Sequence, residues 1–350
     1  MNTPTIQIAG HTIGGHAPCF IIAEVGQAHG GSFDAACAYI DAVADAGVDA
    51  IKFQTHLAAC ESSLDEPFRV AMAGGDRSRY DYWKRMEFTE PQWRELAEKT
   101  RARGLVFLSS AFSVEAVALL SRIGMPAWKI GSGEFRSFEL IEAIQARHEP
   151  VLLSTGMSRY SEIGTMIDIM RGVNLPHALL QCTSKYPTAF EDVGLNVIHE
   201  LRTRFNCPVG LSDHSGTPYP GMAAMAQGAD LLEIHVVLDR AHGGPDTPAS
   251  LLPTEIRELS KARDAFSVMR TCPVDKDGMA ERLENMRGLF SKSVAPARDL
   301  PAGSRLTEDL LVPRKPGTGI PYGERNKLVG RRLKRDVSPL NLLTWKDIDE

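Results

Sequence analysis

The stretch FIIAEVGQAHGGSFDAACAYIDAVADAGVDAIKF, residues 20–53, reads as a strand, a helix and the start of a second strand. Phe20 to Glu24 is a short aliphatic run of the kind that packs on a pleated surface. Phe33 to Ala46 places Ala36, Tyr39, Ile40 and Val43 on one face of a helix. Gly47 then stands where a helix C′ residue favours positive φ, and Ala50 to Phe53 begins the next strand.

The same unit recurs along the chain. Further strands are expected at Leu105 to Ser109, Ala127 to Ile130, Val151 to Ser154, Ala178 to Cys182, Val209 to Ser212 and Leu231 to His235. Helices are expected at Glu90 to Arg103, Val114 to Ile123 and Leu140 to Arg147, with Gly104, Gly124 and Gly228 again preceding strands. Eight βα units in about 250 residues predict an α/β fold of the (β/α)8 TIM-barrel kind, in preference to an open doubly wound sheet. Pro273 to Arg287 is charged and reads as a helical connector. From Ser293 onward, Gly and Pro turns replace helical periodicity. The expected organisation is a barrel over 1–270, a linker over 271–292 and a small β-rich domain over 293–350.

With 43% hydrophobic and 24% charged residues among 350, the chain has ordinary globular composition and enough length for a large core. A net charge of −5 leaves no general basic surface for nucleic acid. The start, MNTPTIQIAG, has neither the basic nor the apolar region of a secretory signal, and no 18-residue apolar run occurs, so a cytoplasmic protein with no membrane partner is expected. The six cysteines are scattered without zinc-type or disulfide-type spacing and read mostly as buried thiols.

Barrel enzymes carry their chemistry at the C-terminal ends of the strands. Every expected strand here ends in polar residues. Lys52 (AIKFQ) and Lys129 (AWKIG) lie within apolar runs, and a buried ammonium is costly unless an anion compensates it. Internal ion pairs to Glu24 or Glu134 would do so. So would a small polyanionic substrate cradled by both lysines and by the hydroxyls of Ser110, Ser132, Ser154, Ser184 and Ser212. His214 and His235 end strands seven and eight, which are neighbours in a closed barrel, so the two imidazoles could share one divalent metal. Mn²⁺ or Mg²⁺ suits few protein ligands completed by oxygen donors, and zinc suits imidazoles as well. His29, His56 and His242 carry a weaker signal and read as supporting residues.

With these residues in view, the chain resembles bacterial sialic acid synthases and their legionaminate and pseudaminate relatives. The resemblance rests on FIIAEVGQAHGGSFDAA, IKFQTH, FLSSAFS, GMPAWKIGSGE, PVLLSTGM, LLQCTSKYPT, VGLSDHSG, EIHVVLD and GPDTPAS in order. It continues through SVAPARDLPAGSRLTEDLL and KPGTGIP, which is similar to the antifreeze-like SAF domain of that family. It implies condensation of phosphoenolpyruvate with N-acetylmannosamine or a related acylamino hexose, giving a nonulosonic acid and phosphate. By position it implies that Lys52, Ser110, Lys129, Ser132, Ser154, Ser184 and Ser212 bind phosphoenolpyruvate and that His214 and His235 hold Mn²⁺. Glu24 would act beside the reacting carbons, while Glu134, Tyr186 and Asp246 would meet the open-chain sugar. The family's SAF domain reaches across a domain-swapped homodimer, and the arginine that contacts the sugar there is replaced here by Lys315, with Arg314 beside it. The family's Gly-x-Asn-His segment reads Gly26, Gln27, Ala28, His29 here, and Ser184 stands where an asparagine is common; with Lys315, these departures all touch the substrate side. The nearest alternative is a phosphoenolpyruvate-dependent 3-deoxy sugar acid synthase that uses a phosphorylated aldehyde. A more distant one is a non-catalytic sugar-binding protein.

Overall fold

The computed structural model describes residues 4–68, 75–242 and 244–349. The strands are β1 (Thr5–Ile8), β2 (His11–Gly14), β3 (Phe20–Gly26), β4 (Ala50–Thr55), β5 (Val106–Ala111), β6 (Trp128–Ile130), β7 (Val151–Ser154), β8 (His177–Cys182), β9 (Val209–Asp213), β10 (Leu231–Val236), β11 (Ser250–Leu251), β12 (Ser293–Pro296) and β13 (Leu311–Arg314). The helices are α1 (Phe33–Ala46), α2 (Ala58–Glu61), α3 (Arg79–Met86), α4 (Glu90–Ala102), α5 (Val114–Ile123), α6 (Phe138–Gln145), α7 (Tyr160–Gly172), α8 (Leu195–Phe205), α9 (Tyr219–Ala226), α10 (Pro253–Thr271), α11 (Lys276–Arg282) and α12 (Glu284–Phe290).

Strands β3 to β10 pair in parallel in sequence order, and β10 closes back on β3 with Leu231 opposite Phe20 and His235 opposite Glu24. The sheet is therefore a closed eight-stranded barrel, as the βα repeat predicts. Local sequence starts its helices cleanly. Ser32 Oγ caps α1 by accepting from Ala35 N, Thr89 and Gln92 form a capping box on α4, and Ser113 caps α5. Expected element bounds move by a residue or two, most visibly at β4 and β5, which run on into the polar residues of the barrel mouth. Two features stand outside the expected repeat: the β1–β2 hairpin and the short helices α2 and α3 between β4 and α4.

The hairpin has a definite packing role. Ile6, Ile8 and Ile13 join Phe20, Ile22, Ala50, Val106, Leu108, Ala127, Leu152, Ala178, Leu180 and Leu231 in one buried cluster inside the barrel. The hairpin thus plugs the N-terminal end and supplies apolar contact to the lowest interior layers. A second, larger cluster fills the space between the outward-facing strand residues and the helices.

The chain divides into two compact units, Met1–Thr271 and Cys272–Glu350. The charged stretch read as a connector forms α11 and α12 and groups with the second unit. In that unit, β12 and β13 pair antiparallel around a core that includes Val294, Leu306, Ile320, Leu328 and Leu343. Among the described residues no helix is long and apolar enough to cross a membrane.

Because Ile8 is fully buried in the plug, Ile8→Ala should cost about 2–5 kcal/mol. Denaturant unfolding of the intact chain would measure this. A change near zero would show that the hairpin does not support the barrel floor.

Candidate active site

Side-chain alternation along the strands builds the site. Ile22, Ala50, Leu108, Ala127, Leu152, Leu180 and Leu231 face the barrel interior. Two residues further along each strand, on the same side, come Glu24, Lys52, Ser110, Lys129, Ser154, Cys182 and Glu233. Register joins them into a ring: Glu24 lies opposite Lys52, Ser110 opposite Lys129, and Ser212 opposite both Cys182 and Glu233. An apolar floor therefore carries a polar layer.

That layer opens into a cavity of about 600 Å³. Its walls include Glu24, Lys52, Ser110, Lys129, Ser132 and Glu134 from the first half of the barrel. Ser154, Ser184, Tyr186, Ser212, His214, His235 and Asp246 follow from the second half. All thirteen barrel residues singled out from the sequence thus share one space. Arg314 and Lys315 belong to the second unit, where both are exposed and Lys315 Nζ lies 4.9 Å from the Phe290 ring centre.

At its base sit two buried lysines and two buried carboxylates. Lys52 Nζ is 2.7 Å from Glu24 Oε2 and 3.7 Å from Glu233 Oε2, and it donates to Ser110 Oγ at 3.3 Å. Lys129 Nζ is 3.3 Å from Glu233 Oε1 and donates to Ser154 Oγ at 2.8 Å. Ser212 Oγ also donates to Glu233 Oε1, at 3.0 Å. Glu24 Oε2 and Glu233 Oε2 lie within reach of Lys52, yet neither receives an aligned hydrogen bond from a described residue. The internal ion pair that the sequence allowed for Lys52 forms with Glu24. Glu134 instead accepts from Ser137 Oγ at 2.6 Å.

The two lysines are not equivalent. Burial disfavours the Lys52 ammonium, but Glu233 and Glu24 outweigh it and hold its pKa above the ordinary lysine value. Burial lowers the pKa of Lys129, and its share of Glu233, opposed by the nearby Lys52 charge, does not restore it. Glu233 is pushed up by burial and pulled further down by Lys129 and Lys52, so its pKa is well below the usual carboxylate range. Lys129 is thus a buried cation whose charge the protein answers incompletely.

Beside it, three small side chains converge over Gly156. Gly156 N donates to Ser132 Oγ at 3.0 Å. A Cβ at residue 156 would stand 2.5 Å from Ser184 Oγ, 2.9 Å from Ser132 Oγ and 3.0 Å from Cys182 Sγ. Only glycine lets the β7 loop approach this cradle without displacing it.

The imidazoles of His214 and His235 lie with ring centres 5.1 Å apart, and Tyr186 stacks on His214 at 4.0 Å and meets His235 edge-on at 5.7 Å. His214 Nδ1 is 3.0 Å from Thr183 O, so Nδ1–H donates to that carbonyl and leaves the Nε2 lone pair available. Burial, reinforced by His235, pushes His214 down to about 3, which keeps the ring neutral. His235 Nδ1 is 3.7 Å from Asp246 Oδ2. Among the described residues no group of three or more His, Cys, Asp or Glu is arranged to hold a metal. The donor set fits a divalent ion that takes two imidazoles from the protein and oxygen from elsewhere.

Sequence reading passed over several wall residues. Glu233 was visible only as one polar residue in a strand end, although its alternation with Leu231 and His235 already required it to face inward. Gln54, Cys60, Glu61, Glu66, Arg79, Trp83, Phe112 and Met157 also line the cavity, several of them from the segment between β4 and α4 that the repeat left unread, and His56, read as a supporting residue, lines it with them. His29 is a buried supporting residue that accepts from Gly31 N at 3.0 Å. The His242 side chain lies outside the described residues.

A NeuB family model matches residues 39–272, two-thirds of the chain, and a SAF domain model matches residues 291–349. The chain belongs to the NeuB family. It is 32% identical to an N,N'-diacetyllegionaminic acid synthase of Legionella pneumophila, over 96% of both chains. It is also 32% identical to the human N-acetylneuraminate-9-phosphate synthase, over 93% of this chain and 91% of that one. The crystal structure of an N-acetylneuraminic acid synthetase from Leptospira borgpetersenii, in complex with citrate, superimposes with a TM-score of 0.72 at 30% identity, over 81% of this chain and 97% of that one. The protein is therefore an enzyme of the sialic acid synthase type with a C-terminal SAF domain.

Since Glu233 is shared between both lysines, Glu233→Gln should destabilise the enzyme by about 3–5 kcal/mol at neutral pH, the cost of breaking a buried charge cluster. A carboxylate with a lowered folded-state pKa contributes fully above its ordinary range, begins to lose that contribution there, and has lost it once the pH falls through the lowered value. The gap between variant and wild type in urea unfolding should accordingly narrow in acid. A gap that stays constant with pH would contradict the assigned charge.

Proposed function

We propose that the enzyme condenses phosphoenolpyruvate with N-acetylmannosamine or a related unphosphorylated acylamino hexose, giving a nonulosonic acid and inorganic phosphate. The observation that carries this reading is that buried Lys129 shares its one carboxylate neighbour, Glu233, with Lys52 and stands beside the Ser132–Ser184–Gly156 cradle. A phosphate or carboxylate placed there gives the ammonium a partner it does not share with Lys52 and meets hydroxyl donors at the same time.

In this reading, Lys129, Lys52 and the hydroxyls of Ser110, Ser132, Ser154, Ser184 and Ser212 hold phosphoenolpyruvate. C3 of the enol attacks the aldehyde carbon of the open-chain sugar, and the aldehyde oxygen takes up a proton. Water adds at C2, and the bond from C2 to the phosphate oxygen breaks as the ketone forms. Glu24, fixed by Lys52 and Gln54, is placed to orient that water or move its proton. His214 and His235 would hold a divalent ion, Mn²⁺ or Mg²⁺, which when bound supplies a Lewis acid for the aldehyde oxygen. Glu134, Tyr186 and Asp246 face the sugar.

Charge along the rest of the wall favours an unphosphorylated acceptor. Glu61, Glu66, Glu134, Glu139 and Asp246 are all lining residues, and Arg79, the cation beside them among the described residues, is already paired with Glu66 at 3.0 Å. A sugar phosphate would enter a field of its own sign. Hydroxyl and amide groups instead find acceptors.

The mouth loops also support a homodimer in which the partner's SAF domain completes the site through Arg314 and Lys315. Met157 and Phe190, in the connections after β7 and β8, and Phe138 and Tyr219, which open α6 and α9 after β6 and β9, are between 48% and 66% exposed. Apolar side chains gathered around one opening are a usual mark of an interface. A cytoplasmic location fits the supply of phosphoenolpyruvate.

Phosphate release from phosphoenolpyruvate should depend on both a divalent ion and an amino sugar, with the product identified by mass across phosphorylated and unphosphorylated acceptors. Lys129→Ala should abolish release through loss of phosphoenolpyruvate binding. Full activity in strong chelator would remove the metal from the scheme, and preference for a sugar phosphate would overturn the acceptor assignment. Deleting residues 293–350 should raise the acceptor KM far more than the phosphoenolpyruvate KM, and equal acceptor KM values would rule out the role of the SAF domain.

A further inference from the structure

His56 stands apart from the other histidines of the cavity. It follows the end of β4 and is only 3% exposed, yet it forms part of the cavity wall. Its ring is sandwiched between Trp83, 3.8 Å away at 17°, and Phe112, 4.3 Å away at 15°. Both faces are therefore fixed. Both nitrogens are fixed as well: Nδ1 is 2.5 Å from Glu61 Oε1, and Nε2 is 3.2 Å from Gln54 Oε1 and 3.3 Å from Gln27 Nε2. One hydrogen bond would satisfy a buried core histidine, whereas this one is held on two faces and two edges.

The constraint leads to the reacting centre. A carboxylate only accepts, so the amide nitrogen of Gln54 is the end that faces Glu24, donating to Oε1 at 2.7 Å. The carbonyl end of Gln54 then points at His56 and accepts from Gln27 Nε2. The Glu61 carboxylate also only accepts, so His56 Nδ1–H donates to it and Nε2 accepts from Gln27 Nε2, the amide nitrogen that also donates to Gln54 Oε1. Glu24 has Lys52 on one oxygen and Gln54 on the other, and Gln54 is held by Gln27, whose amide His56 fixes in turn.

The far end of the line is tied to the segment between β4 and α4. Glu61 closes α2. Trp83 Nε1 donates to Glu66 Oε2 at 3.1 Å, and Arg79 pairs with the same carboxylate. We infer that His56 is a positioning residue for the condensation: clamped by Trp83, Phe112 and Glu61, it fixes the amide of Gln27, which holds Gln54 and through it the carboxylate of Glu24. It links the acid-rich acceptor wall to the group that works on the reacting carbons. The inference rests on the condensation reading above for its effect on turnover and on geometry alone for its effect on Gln54.

The test uses the full chain with His56→Phe, which keeps the aromatic stack and removes both nitrogens, and His56→Gly, which empties the slot. Both variants should lose about 100-fold in kcat, the scale expected when a reacting group is misplaced by an ångström. The KM for phosphoenolpyruvate should change little, because Lys129 and the serine cradle are untouched. Added imidazole should restore part of the turnover of His56→Gly, and Phe should not substitute for it. Wild-type kcat in His56→Phe would overturn the inference, as would a matching rise in phosphoenolpyruvate KM. Independently of turnover, the Gln54 side-chain amide signals in ¹H–¹⁵N spectra should shift and lose exchange protection in His56→Phe. Unchanged Gln54 signals would defeat the inference even in an enzyme that turned over no acceptor offered, whereas a wild type inactive with every acceptor, its Gln54 signals responding as expected, would defeat only the condensation reading.

Discussion

Two ammonium groups and two carboxylates share the dry interior of the barrel, and most of the site follows from how they balance. Formal charge among Glu24, Lys52, Glu233 and Lys129 sums to zero, so the cluster can stay buried without a ligand. The balance is uneven. Lys52 has a carboxylate on each side, while Lys129 shares Glu233 with a competing cation. That unevenness makes one end of the cluster receptive to an anion while the other remains closed, and it gives the cavity a direction.

The layer below makes such a cluster tolerable. A packed apolar floor, completed by the isoleucines of the N-terminal hairpin, keeps water from reaching the lysines from beneath. Ligands therefore approach only from the C-terminal mouth, where the hydroxyls and the imidazoles lie. The low dielectric that makes the charges costly also strengthens each contact they make with a substrate. Small residues matter here as much as charged ones, since Gly156 lets Ser132, Cys182 and Ser184 crowd against one backbone segment.

Above the cluster the wall changes character. The donor-rich layer above the floor gives way to carboxylates, two paired imidazoles and an aromatic slot occupied by His56. An anionic co-substrate bound deep and a neutral, hydroxyl-rich one bound above it would each meet the complementary surface. The line from Glu61 through His56, Gln27 and Gln54 to Glu24 crosses the border between the two halves.

Much of this was legible in the chain itself. The βα repeat determined a barrel, and period-two alternation in runs such as AIKFQ and AWKIG required Lys52 and Lys129 to lie on the interior faces of their strands. Strand-end position likewise brought Glu24, the serines and the two histidines to a common mouth. Alternation names a face, however, and not a partner. Whether Lys52 met Glu24 or Glu134, and that Glu233 would lie between both lysines, depended on barrel closure and on the stagger between strands far apart in sequence. The His56 slot was decided in the same way, since Trp83 and Phe112 come from different βα connections and no local pattern records that their rings face each other across 56. Local periodicity fixes which way each side chain points, whereas the pairing of charges and rings is set by long-range packing, and only the closed barrel carries that information.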